Sequence, residues 1–192
     1  MAANRISMLI DRLTGHPDPN TRVANLLGLV LAWNTPFYPV YVIMTCGTGV
    51  LAWMPLHLVV LPAFAAVPLV SRAHSLTGRA LLVLAGTLNT VVCSWLYGAA
   101  AGAQLFLLPC ISLAVLLFRA SERAVMVPVL ACPVAGYFLA GQFSRSPLGL
   151  SAVQSSHLLG INAVSVGILT GFIAWAFADR VPAHGASYTK MS

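Results

Sequence analysis

The chain has 192 residues, of which 59% are hydrophobic and only 7% are charged, with a formal net charge of +6. A soluble domain would be roughly a quarter charged, so a water-soluble core is excluded. The basic residues are spread singly and do not form a patch with interleaved aromatics, so nucleic acid is not an expected partner.

Residues 5–14 read as a short amphipathic helix. Ile6, Leu9, Ile10 and Leu13 recur at helical spacing opposite Arg5, Asp11 and Arg12. Such a helix suits a membrane surface or a partner chain. Gly15, Pro17 and Pro19 end it. No apolar stretch with a small-residue cleavage site precedes the first span, which is expected to act as its own uncleaved signal.

The first span is expected from about Val23 to Thr45, kinked where Asn34-Thr35-Pro36 interrupts it. A second covers about Leu51 to Val70, with Pro55, Pro62 and Pro68. Ser71 to Arg79 reads as a polar loop. From Ala80 to Phe118 there is no charged residue. That length suits two spans at ~1.5 Å per residue, broken by a tight turn between Tyr97-Gly98 and Gly102-Ala103. A fifth span is expected over about Ala124–Ala140, and a sixth over His157–Ala178 after a polar stretch.

Six spans put both termini on one side. That side collects Arg5, Arg12, Arg22, Arg72, Arg79, Arg119, Arg123, Arg180 and Lys190; the other holds only Arg145. Lys/Arg excess marks the cytoplasmic face. The expected architecture is an all-α polytopic membrane protein with six transmembrane helices, N-in and C-in, in a bacterial inner (plasma) membrane. Residues 1–22 form the cytoplasmic amphipathic helix and linker, 23–178 the transmembrane domain, and 179–192 a short cytoplasmic tail.

Polar residues within spans are costly and each calls for a reason. Asn34 and Thr35 either satisfy backbone groups freed by Pro36 or face a ligand. Asn89 and Asn162 read as interhelical hydrogen-bonding residues. His57, Gln104 and His157 fall near the outer ends of spans two, four and six, where they could line an outward-facing ligand site together with Asn34. Two histidines on separate helices, without a nearby carboxylate, make a poor metal or haem site, and no metal or cofactor is expected. The four cysteines lack metal-site or disulfide-framework spacing. Gly167 and Gly171 form a GxxxG pair, with Gly160 one heptad earlier, suited to close helix packing and to a homodimer.

No span carries Asp or Glu, and no phosphate loop, HExxH or serine triad is present. No enzymatic activity is expected.

The segment from Gly98 through Gly102, Gln104 and Phe106 to Phe118-Arg119 and Glu122-Arg123 resembles the six-helix membrane domain that precedes the catalytic domain of mycobacterial-type class III adenylate cyclases. Related domains precede some histidine kinases and diguanylate cyclases. The resemblance implies a dimeric membrane anchor or input domain. The chain ends fourteen residues after Ala178, too few for a cyclase or kinase module, and Ala100 stands where relatives often carry an acidic residue. The expected function is therefore a stand-alone membrane sensory or regulatory domain. It would act through self-association or a separate cytoplasmic signalling partner, with the lipid bilayer as its surroundings. A small transporter or channel for a neutral or hydrophobic solute is the alternative, favoured by the proline-broken spans.

Overall fold

The computed structural model describes residue 8 and residues 11–178. Residues 5–7, 9 and 10 of the expected amphipathic helix and all of the tail from Asp179 lie outside the described residues. Residues 11–14 are helical and dock on the bundle. Asn25 Nδ2 donates to the Thr14 carbonyl at 3.2 Å, and Arg72 to that of Arg12 at 3.3 Å.

The chain then forms α1 (Pro19–Asn34), α2 (Phe37–Cys46), α3 (Met54–Leu58), α4 (Leu61–Ala73), α5 (Ser75–Tyr97), α6 (Leu107–Leu116), α7 (Arg123–Ala140) and α8 (Ala152–Ala178), with short 3-10 segments between several of them. No strand occurs among the described residues. Asp18 caps α1 by accepting from the Thr21 amide, and Pro19 opens the helix, where its missing N–H costs nothing. The expected kink separates α1 from α2. Pro36 cannot donate to the ladder, and the Thr35 hydroxyl and amide both return to the Leu31 carbonyl.

Five segments are long and apolar enough to cross a membrane: Pro19–Cys46, Thr48–Ala73, Ser75–Tyr97, Ala120–Ala140 and Ala152–Ala178. Ala103–Leu116 is a shorter apolar helix, about 21 Å long at ~1.5 Å per residue. It begins as a 3-10 segment after the turn at Gly98–Gly102. Gly102 has φ +75°, and a Cβ there would collide with the Leu159 side chain, so only glycine closes this turn against α8. Residues 99–117 nevertheless return along α5, because the Leu117 carbonyl reaches Arg79 near the start of that helix.

Two expectations are corrected. Ser71–Arg79 is not a loop: α4 continues to Ala73 and α5 starts at Ser75, with His74 alone between them. Arg79 lies within α5 and is buried, because its charge is paired inside the fold. The last helix starts at Ala152, ahead of His157. Ser151 and Gln154 close a reciprocal cap there, Ser151 N donating to Gln154 Oε1 and Gln154 N to Ser151 Oγ.

Helix α5 is the most buried of the long segments and α8 the least. One apolar cluster gathers Leu27, Phe64, Val67, Leu82 and Leu117 toward the end where α5 begins. The other gathers Val42, Val50, Leu96, Tyr97 and Leu158 at the opposite end.

Candidate ligand cavity and its link to the last helix

Where the two clusters meet they leave a cavity of about 100 Å³. That is room for about three waters or a polar group of similar size. Helix α5 supplies one wall with Gly86, Asn89, Thr90 and Cys93. Their spacing of i, i+3, i+4 and i+7 puts all four on one helical face. Asn34 and Tyr38 face it from either side of the α1–α2 kink, and His57 from α3.

An aromatic cluster closes one end. The Tyr38 ring stacks on the His57 imidazole, with centroids 4.8 Å apart and planes 17° from parallel. Tyr97 lies 5.9 Å from Tyr38 and 6.3 Å from His57, tilted to both. Cys93 Sγ contacts His57 Nδ1 at 3.2 Å. The Tyr38 hydroxyl donates to Asn162 Oδ1 at 2.9 Å, and Asn162 Nδ2 donates to the Ala101 carbonyl at 2.8 Å. Asn162 is fully buried. One side chain of α8 is thereby tied to the cavity wall and to the Gly98–Gly102 turn, the interhelical role expected of it.

Of the residues expected at a ligand site, the structure brings His57 and Asn34 to this cavity. Gln104 does not border it. Its Nε2 donates to the Ala99 carbonyl at 2.9 Å, closing its own turn. His157 lies exposed on α8. Asn89 faces the cavity instead of bridging helices; among the described residues its side chain's one hydrogen-bond contact is a long one from Cys93, its neighbour on the same helix. Gly160, Gly167 and Gly171 are exposed, and a Cβ added at any of them meets nothing within 4 Å, so they do not serve packing inside the monomer. Among the described residues no three His, Cys, Asp or Glu are placed to hold a metal ion, and the four cysteines are free thiols.

At the far end of α5 sits a charged cluster that sequence spacing did not reveal. Arg79 Nη1 donates to the Leu117 carbonyl at 2.6 Å and to Glu122 Oε2 at 2.9 Å, and Nη2 donates to Glu122 Oε1 at 2.7 Å. The Phe118 ring lies 5.4 Å from the guanidinium carbon, within cation–π range. Asp18 Oδ2 stands 3.8 Å from Arg79 Nε, and Asp18 Oδ1 pairs with Arg119 at 2.5 Å. The cluster fastens the start of α1, α5 and the Ala120–Glu122 turn together. At the opposite end, Ser146 beside Arg145 bonds the Leu96 carbonyl, and Ala99 N donates to the Phe143 carbonyl.

Burial opposes ionisation of Asp18. The Thr21 hydroxyl, the charge of Arg79, the Thr21 amide and the charge of Arg119 outweigh it and hold the carboxyl below its ordinary range. A carboxylate with a depressed folded-state pKa stabilises fully above its unfolded pKa, and that contribution fades as pH falls through the folded value. Thermal unfolding of the protein in detergent should therefore show this contribution undiminished down to about pH 4 and losing it below. Asp18→Asn should remove that part of the acid limb. An acid limb identical in wild type and Asp18→Asn would contradict the assignment.

Residues 17–184 match the family model of MASE7. The chain belongs to this family, a membrane-associated sensor domain family found in cyclases and kinases. No curated protein and no solved structure matches it.

Proposed function

We propose that this membrane sensor domain detects a ligand in the cavity beside His57 and Asn34 and reports it through α8. The observation that carries the reading is the Tyr38–Asn162 hydrogen bond. Tyr38 is at once cavity wall, stacking partner of His57 and anchor of α8. A ligand that moves the Tyr38 ring would alter how α8 seats on the bundle. That requires a ligand with different affinity for two arrangements of the helix.

The domain crosses a bacterial plasma membrane six times with both termini cytoplasmic. The return of residues 99–117 along α5 supports the sixth crossing. Topology is supported by the separation of the Arg79–Glu122–Asp18 cluster from Arg145, which lies by the Gly98 turn at the other end of α5. Two copies pair through Gly160, Gly167 and Gly171 of α8, whose open surface lets a second helix backbone approach closely. The signal passes to a cytoplasmic output, within the dimer or on a separate partner.

Single cysteines at Gly167 or Gly171, in a background whose native cysteines are serine or alanine, should cross-link between copies in native membranes. Leucine at both positions should weaken pairing at least about tenfold, since it fills the groove, while leaving monomer unfolding unchanged. No cross-linking from either position, together with measurable flux of a neutral solute into proteoliposomes, would overturn the sensory reading in favour of transport.

A further inference from the structure

The cavity adjoins a wide groove on the outer surface of the bundle. Leu31, Asn34, Tyr38, Phe106 and Leu169 border both the cavity and the groove of about 750 Å³ between α1–α2 and α8. The groove's outer walls include Trp33, Tyr41, Val164 and Ile168, all exposed and apolar or aromatic. The inner cavity is walled mainly by apolar side chains as well, but it gathers several polar ones at one place. Asn34, Asn89, Thr90 and His57 offer uncharged donors and acceptors there, and no Asp, Glu, Lys or Arg borders it.

Asn34 is the anomaly. It stands near the middle of the Pro19–Cys46 segment and is exposed on the groove side. Among the described residues its amide has no hydrogen-bond partner. An unpaired amide at hydrocarbon depth is costly, because lipid chains cannot satisfy it. An uncharged polar group delivered at that depth removes the cost. A charged group would find no counter-charge and would pay its own desolvation.

We infer that the cavity receives the uncharged polar end of a lipid-soluble single-chain amphiphile, such as a long-chain alcohol, entering sideways from the bilayer between α1 and α8. The head group bonds to Asn34, Asn89 and Thr90. The chain lies in the groove against Val30, Trp33 and Tyr41 on the α1–α2 wall, beside the glycine ridge of α8. The cavity volume admits a hydroxyl or small amide and excludes a sugar, and no cation borders it to hold a phosphate. This inference rests on the proposed function only in taking the cavity as a ligand site.

The test uses the full chain in phosphatidylcholine vesicles and a hexadecanol carrying a diazirine midway along its chain. The control probe is the same chain with a trimethylammonium head. The alcohol should label α1 and α8 saturably and be competed by plain hexadecanol, while the cationic probe labels without saturation. Asn34→Leu, which lies on the exposed side and leaves the core intact, and Asn89→Leu should each weaken competition about tenfold, the equivalent of one lost hydrogen bond. Labelling that never saturates, that both variants leave unchanged, or that the cationic probe matches would overturn the inference. Saturable labelling with no cross-linking from Gly167 or Gly171 and with measurable solute flux would overturn the sensory reading and leave the binding site assigned here standing. Cross-linking without saturable labelling would do the reverse.

Discussion

Replacing Arg79 with alanine is expected to destabilise the fold by about 3–5 kcal/mol, the usual cost of removing one partner from a buried ion pair. The side chain is 2% exposed, so water cannot take over its role. Its loss strands the Glu122 carboxylate without its bidentate partner and takes the guanidinium donor from the Leu117 carbonyl. Asn20 Nδ2 still reaches that carbonyl at 3.0 Å, so the damage centres on Glu122. In detergent the change should lower Tm by roughly 10 °C, the scale for a chain of this size. Arg79→Lys keeps the charge but cannot make two parallel bonds to one carboxylate, and should fall between wild type and alanine. Adding Glu122→Gln to Arg79→Ala should recover part of the loss, because no unpaired carboxylate then remains. An Arg79→Ala variant within about 2 °C of wild type would refute the pairing as a structural anchor.

Asn162→Ala should cost about 2 kcal/mol. It breaks two hydrogen bonds, each worth roughly 0.6–1.7 kcal/mol between membrane helices, and strands the Tyr38 hydroxyl. Tyr38→Phe breaks one of the two and should cost about half as much. The double variant should be less destabilised than the sum, since the two residues share a bond. The more telling consequence concerns α8. With Asn162 gone, the cavity and the last helix lose their hydrogen-bonded link, so ligand addition should no longer change cross-linking at Gly167. An Asn162→Ala protein that unfolds like wild type and keeps its ligand response would show that α8 is seated by apolar contacts alone.

Much of this was legible in the sequence. The Asn34-Thr35-Pro36 kink, the Gly98–Gly102 turn and the interhelical role of Asn162 follow from local chemistry: a missing donor, a positive φ and an amide in an apolar helix. Two further features carry signals in the sequence. Ser151 and Gln154 have capping-box spacing, which moves the start of α8 ahead of His157. Gly86, Asn89, Thr90 and Cys93 form a small and polar stripe at helical spacing, the inner wall of the cavity. The shared depth of His57, Gln104 and His157 is only one of three coordinates. Depth places residues at a level in the membrane but says nothing of the direction each helix face points.

The sequence by itself determined the class of this protein and the ends at which its charges gather. Both follow from transfer free energy, which acts residue by residue along the chain. The tertiary structure decided which of those residues meet. It carried Arg79 out of an expected loop and into a buried pair with Glu122, 43 positions away. It joined Tyr38 to Asn162 across 124 positions, and turned Asn34 and Asn89 toward one cavity while leaving His157 outside. Such pairings depend on helix rotation and crossing, which are set by how side chains of distant segments interlock, and no local stretch of sequence encodes them.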